Sequence, residues 1–215
     1  PPLPGLSLWQ GWLIRRRLSR LWAAVESIRL EDKQPKILAA WGKVASWLDS
    51  IHIIHSLPYR EAVGKLWPPS NSSLRAIEHA HQSRRQLRAW ANTPAARAVG
   101  LERRNFRPSE FLLQMSRYRF LLNPIGSNIQ TAKTIEALLV LTVPITKRPG
   151  EIRLHDELLD MGFPLVLVDD WRDITVNRTA AWWSELSPRL HSFRRNCLTA
   201  DGFWRMYTGE LPRCE

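Results

Sequence analysis

From Arg119 to Phe193 the chain alternates short apolar runs with stretches of helical periodicity, and no other feature of the sequence limits the fold as much. Arg119 to Asn123 reads as a strand, because Phe120-Leu121-Leu122 is apolar, short and closed by the turn Pro124-Ile125-Gly126. Ser127 and Gln130 stand three apart, the spacing of a capping box, and open a helix running to about Leu141. Val143 to Thr146 is a second strand, Glu151 to Met161 a second helix and Leu165 to Val168 a third strand. Thr179 to Phe193 is a third helix, interrupted near Pro188. Ahead of the first strand, Ser109 caps a short helix carrying Phe111, Leu112 and Met115. Strand and helix in strict alternation with short connections imply βαβ units, a parallel sheet and an α/β Rossmann-like domain over 109–215. Ligands of such sheets sit beyond the carboxyl ends of the strands. That rule selects Asn123 to Ser127, the residues after Thr146, and Asp169-Asp170.

Residues 1–108 read differently, as a basic helical region. Ile14, Leu18, Leu21, Trp22, Val25 and Ile28 recur at helical spacing from Leu13 to Leu30, with Arg15, Arg16 and Arg20 off the stripe. A second helix is expected from about Lys36 to Ser50 on Ile37, Trp41, Val44 and Leu48, which makes an αα-hairpin with the first. Pro58, Pro68 and Pro69 punctuate an exposed stretch. A third helix, Leu74 to Ala91, is strongly basic and expected on the surface, with Pro94 ending it.

The charge balance narrows the partner class. The 31 basic residues outnumber the 20 acidic ones by 11, which favours an anionic partner: nucleic acid, a phosphorylated ligand or a membrane surface. With 215 residues and 44% apolar content the chain has material for a real core and is too short for a large multidomain enzyme. Two cysteines, Cys197 and Cys214, exclude a four-cysteine zinc site and leave one bridge open between them. The most apolar run, Ile135 to Ile145, contains Glu136 and falls well short of the roughly 18 residues a membrane helix needs. The sequence opens at Pro1 rather than Met, so an upstream signal or anchor stays open.

The segment Pro124 to Glu136 carries the most chemical information. A glycine turn lets backbone approach a ligand closely, and the helix it opens presents unpaired N–H groups that suit a phosphate. Lys133 and Glu136 lie three apart on one helical face. Two readings of that pair stand. In one, Lys133 takes a phosphate oxygen and Glu136 accepts from two vicinal hydroxyls. In the other, the two form a solvent ion pair on an ordinary helix.

Other polar groups read as structural. Asp169, Asp170 and Asp173 are strand-end carboxylates in a loop or cap, and their spacing is wrong for a metal-binding Asp-x-Asp. His52 and His55 have no carboxylate or cysteine at ligand spacing, and His79 and His81 diverge on a helix, so no metal site is expected. Trp182 and Trp183 straddle a buried helix face. Asn71-Ser72-Ser73 and Asn177-Arg178-Thr179 both satisfy the N-glycosylation sequon.

The run from Tyr118 to Leu138, YRFLLNPIGSNIQTAKTIEAL, continued by Val143-Pro144-Ile145, resembles the exostosin-like glycosyltransferases and the related ribitol xylosyltransferase C-terminal domain. The later run from Phe163 to Thr175, FPLVLVDDWRDIT, is similar to a second block of that family in the same order. Asn71-Ser72-Ser73 with Arg75, Arg84 and Arg85 resembles an upstream segment more weakly. The resemblance implies the C-terminal half of a GT-B fold that binds a nucleotide-diphosphate sugar, a UDP-sugar above all, as substrate, with no cofactor and no essential metal. It gives the diphosphate to the turn at Gly126 and Ser127 and to Lys133, and the ribose hydroxyls to Glu136. Gln130 stands where the family carries Asp, Asn128 replaces its second glycine, Ile135 its Trp, Lys133 its Arg, and Leu141 a glycine. No general base is nominated. Residues 1–108 correspond to a partial or divergent acceptor side.

The expected function is transfer of a sugar from such a donor to a glycan, glycoprotein or other hydroxyl acceptor in the Golgi or another secretory lumen. A membrane enters only through an upstream anchor, and nucleic acid is not expected. The alternative is a non-catalytic basic module of the same fold that binds an acidic glycan or nucleic acid.

Overall fold

The computed structural model describes residues 8–40, 82–124, 132–149 and 153–214. Its framework is a sheet of five parallel strands: β1 Gln34–Ala39, β2 Leu101–Arg103, β3 Tyr118–Leu122, β4 Val143–Lys147 and β5 Val166–Val168. The strands lie in the order β2-β1-β3-β4-β5. Ile37 stands level with Leu101 on one side and Phe120 on the other, Phe120 level with Val143, and Ile145 level with Val166. The α/β class with a parallel sheet is therefore as expected, and β3, β4 and β5 fall where the apolar runs lie.

β1 is a correction. A helix was expected from Lys36, and a strand stands there instead. Ile37, Leu38, Ala39 and Ala40 are all buried, because β1 has a strand on each side and helices on both faces. Burial on both faces removes the period-two alternation that marks a half-exposed strand. Pro35 is tolerated because it sits at the strand's beginning. The expected αα-hairpin does not form, since the first helix leads through a turn straight into β1. The division at 108 likewise does not coincide with an edge of the sheet, because β1 and β2 both lie upstream of it.

The helices, in chain order, are α1 Leu8–Glu26, α2 with its described part at 82–91, α3 Pro94–Ala98, α4 Phe111–Met115, α5 Ala132–Leu139, α6 Leu154–Asp160, α7 Val176–Asn196 and α8 Ala200–Tyr207. α2 is the basic helix expected on the surface, yet it inserts Leu87 and Trp90 into the core. Pro94 opens α3, whose amino end is capped by Thr93 accepting from the Ala96 N–H. α4 starts from Glu110 without a side-chain cap, so Ser109 does not cap it. α7 runs unbroken through Pro188, which lies on the helix's exposed side.

The two faces of the sheet have separate cores. On one, Ile37, Phe120, Leu122, Val143 and Ile145 pack against α2 and α7 through Leu87, Trp90, Leu186, Leu190 and Phe193. On the other, Leu38 and Leu121 meet Val25 of α1, Met115 of α4, and Ala137 and Val140 at the end of α5. This is the three-layer arrangement that a parallel sheet requires.

Two tethers lie at the amino ends of the strands. Lys33, 3% exposed, donates from Nζ to the carbonyls of Ser116 at 2.6 Å and Val140 at 2.9 Å and to Thr142 Oγ1 at 3.0 Å. The turns entering β1, β3 and β4 are thereby joined through one ammonium. Cys197 and Cys214 form a disulfide with Cα atoms 6.2 Å apart, and it encloses α8. The backbone helps to hold it, because the Cys214 N–H donates to the Met161 carbonyl at 2.9 Å.

Candidate functional site

The sheet order reverses direction of growth between β1 and β3, and that reversal opens the crevice in which doubly wound sheets bind ligands. β1 delivers Ala40 to its rim and β3 delivers Asn123 and Pro124. Pro124 begins the segment singled out on chemical grounds.

Asn123 is 2% exposed and fully engaged at this rim. Its Nδ2 donates to Thr134 Oγ1 at 2.8 Å, its N–H to the Ile145 carbonyl at 2.8 Å, and its carbonyl accepts from Thr146 Oγ1 at 3.0 Å. The end of β3, the first turn of α5 and the end of β4 are therefore held as one unit. Buried side-chain bonds of this kind fix geometry because each group lacks water as an alternative partner.

Lys133, the second residue of α5, crosses the switch point. Its Nζ donates to the Ala40 carbonyl at 2.6 Å and lies 5.7 Å from the centre of the Phe111 ring. Burial is the main force pulling this lysine below the usual ammonium range. Arg84 adds to the effect and Glu136 opposes it. Arg84, from α2, is also lowered, first by burial and then by Arg88. Thus Arg84 and Glu136 each lie within electrostatic reach of Lys133 beside the switch point. α2 is anchored by Trp171, whose Nε1 donates to the Ser83 carbonyl at 3.0 Å, and by Lys147, which donates to Gln86 Oε1.

The carboxylates beyond β5 serve the fold, as their spacing implied. Asp170 Oδ1 accepts from the Arg172 N–H at 2.8 Å and pairs with the Arg172 guanidinium at 2.9 Å. Its carboxyl is held at about 2, chiefly by the Arg172 guanidinium and then by that N–H. Asp173 returns the favour by accepting from the Asp170 N–H at 2.9 Å, which completes a capping box around the turn Trp171–Asp173. Asp169 pairs with Arg148 at 3.0 Å, and Arg148 also bridges to Asp156. No group of three or more metal-ligating side chains occurs among the described residues. Trp182 and Trp183 are half-buried on α7, and Trp183 meets Phe120 edge-on at 5.9 Å.

Of the five residues expected to bind a nucleotide sugar, Lys133 is brought to the switch point by its bond to Ala40, and Glu136 lies one turn further along the same helix. Gly126, Ser127 and Gln130 lie outside the described residues, as do His52, His55, His79, His81, and the Asn71 sequon. Sequence reasoning named Arg84 only within the weak upstream resemblance, without linking it to Lys133, and missed the relay through Asn123, Thr134 and Thr146. The available signal was three short polar residues, each set against apolar neighbours. Leu141, standing where the resembled family carries glycine, adopts a left-handed backbone with φ of 59°.

No protein-family model matches the chain, and no curated protein matches it.

Proposed function

We propose that this chain is the donor-binding part of a glycosyltransferase, holding a nucleotide-diphosphate sugar across the β1/β3 switch point. The observation that carries the reading is the sheet order: the reversal between β1 and β3 opens where the Pro124 to Glu136 segment begins. In this reading the turn at Gly126 and Ser127 and the amino end of α5 take the diphosphate, with Lys133 adding a cation. Glu136 accepts from the two ribose hydroxyls. The acceptor hydroxyl oxygen forms a bond to the anomeric carbon as the bond from that carbon to the diphosphate breaks, and the hydroxyl proton is released to water or to the departing diphosphate. Neutralising the departing diphosphate is then the chain's main contribution to rate.

Two further observations support it. The left-handed backbone at Leu141 is the conformation a glycine at that position serves, as in the resembled family. The Cys197–Cys214 disulfide suits an oxidising compartment, in keeping with a secretory lumen.

Calorimetric titration with a panel of nucleotide-diphosphate sugars tests the proposal. Saturable binding of one donor, lost in Glu136→Ala, is expected. Absence of nucleotide binding together with salt-sensitive binding of an acidic glycan or nucleic acid would overturn it in favour of a non-catalytic basic module.

A further inference from the structure

A second concavity lies away from the switch point, on the amino halves of β1 and β3 where α7 crosses the sheet. It encloses about 320 Å³, near the lower end of the range for small-molecule sites. Ile37 and Phe120 contribute apolar lining and Val176 brings the first turn of α7 to it. Lys36, Arg97 and Arg119 also line it, and no carboxylate does.

The three cations differ in how far their charge is already met. Lys36 is paired with Glu102, which also takes Arg104 at 3.1 Å. Arg97 and Arg119 have no ion pair among the described residues. Arg119 sits over Trp183, its guanidinium carbon 5.0 Å from the centre of the ring. Its Nε is buried without an acceptor. A guanidinium held by a cation–π contact has lost part of its rotational freedom, so forming bonds to an anion costs it less entropy than a free surface arginine would lose. With Nε turned inward, the terminal nitrogens are the part of this guanidinium through which it would meet an anion in the cleft.

We propose that this cleft binds a small phosphate monoester whose organic part is apolar. A phosphate dianion matches the two unmatched arginines in charge, and its oxygens fit guanidinium forks. The apolar lining takes the ester group. A volume of about 320 Å³ admits a group the size of one ring.

Calorimetry on the full chain with phenyl phosphate and with inorganic phosphate, at fixed ionic strength near neutral pH, provides the test. Phenyl phosphate should bind with one-to-one stoichiometry and more tightly than inorganic phosphate. Arg97→Gln and Arg119→Gln should each weaken it about tenfold or more. Arg97 is exposed on α3, so its variant keeps the fold, as circular dichroism will verify, and decides the matter if Arg119→Gln unfolds. No saturable heat at millimolar phenyl phosphate, equal affinity for the two probes, or unchanged binding in Arg97→Gln would each overturn the assignment. Neither probe is a nucleotide, so a chain that binds phenyl phosphate through Arg97 but no nucleotide sugar keeps this site and loses the one at the switch point.

Discussion

Lys133 on α5 donates to the Ala40 carbonyl at the end of β1 over 2.6 Å, tying the helix that follows β3 to the strand across the switch point. The ammonium is largely withdrawn from water and the Phe111 ring lies 5.7 Å away. Replacing it leaves a strand-end carbonyl without its donor. Lys133→Met is expected to cost about 1–2 kcal/mol, a value typical of a part-buried bond from a charged donor, read by urea denaturation. If the proposed donor site is correct, the same variant also weakens nucleotide-sugar binding. A loss of stability within error of zero would show that Lys133 is not part of the frame.

The Cys197–Cys214 disulfide spans 17 residues of sequence. The loop it closes includes all of α8. Gly202, in that helix, lies so close to the Asn196 carbonyl that a Cβ would collide with it, and a Cβ on Gly162 would collide with the Cys214 carbonyl. Closing a loop of this length removes enough freedom from the unfolded chain to stabilise the fold by about 3 kcal/mol. The oxidised protein should therefore lose about that amount when a reductant is added, measured by denaturant unfolding. A variant with both cysteines changed to Ala should start lower and show no response to reductant.

Leu141 and Leu138 are both fully buried, yet their backbones differ. Leu141 has φ of 59° just past α5, while Leu138 lies inside the helix. Truncating either leucine opens a cavity and is expected to destabilise by about 2–5 kcal/mol. The order of Ala and Gly should invert between the two sites. Leu141→Gly should be more stable than Leu141→Ala, because Ala at positive φ carries strain of about 1–2 kcal/mol. Leu138→Gly should be less stable than Leu138→Ala by about 1 kcal/mol, the ordinary helix cost of glycine. Thermal or urea unfolding of the four variants checks this, and the same order at both sites would contradict the left-handed turn.

These positions show what was legible beforehand. β3, β4 and β5 were readable because each is a short apolar run closed by Pro, Gly or Asp, and the helices between them carry ordinary periodicity. β1 was not. Burial of Ile37 to Ala40 on both faces erased the alternation, while Ile37, Trp41, Val44 and Leu48 imitate a helical stripe. β2, with only Leu101, Glu102 and Arg103, is an edge strand and has no apolar run to announce it. Losing β1 also hid the bond between Lys133 and Ala40, since a contact across a switch point depends on strand order and not on local pattern. That Lys133 and Glu136 share one helix needed only the helical repeat and was legible, but the ion pair between them does not form, because the Lys133 ammonium donates to Ala40 instead.

Lys33 was invisible for another reason: a lysine in a turn beside Glu31 and Asp32 reads as solvated, and only the packed turns around it make it buried. Burial lowers its ammonium to about 7, with the charge of Arg194 adding to the effect. In the unfolded chain the same group titrates near 10.5. Between those values the unfolded state binds the extra proton, so stability rises with pH across that window. The penalty for the buried charge is fully present below about 7 and gone above about 10.5. Tyr118 acts in the opposite sense, since burial and its bond to Glu102 raise it to about 12 and its contribution fades above 10. Measurements are therefore best kept between about 7.5 and 9.5, above the ordinary histidine range and below that of tyrosine. Over that interval the wild-type unfolding free energy should climb, whereas in Lys33→Met it should be lower at the alkaline end and climb less steeply, the remaining slope coming from Lys133, which burial also lowers, because the four partners of Lys33 are lost together with its titration. An equal slope in both proteins would assign the pH dependence to some other group.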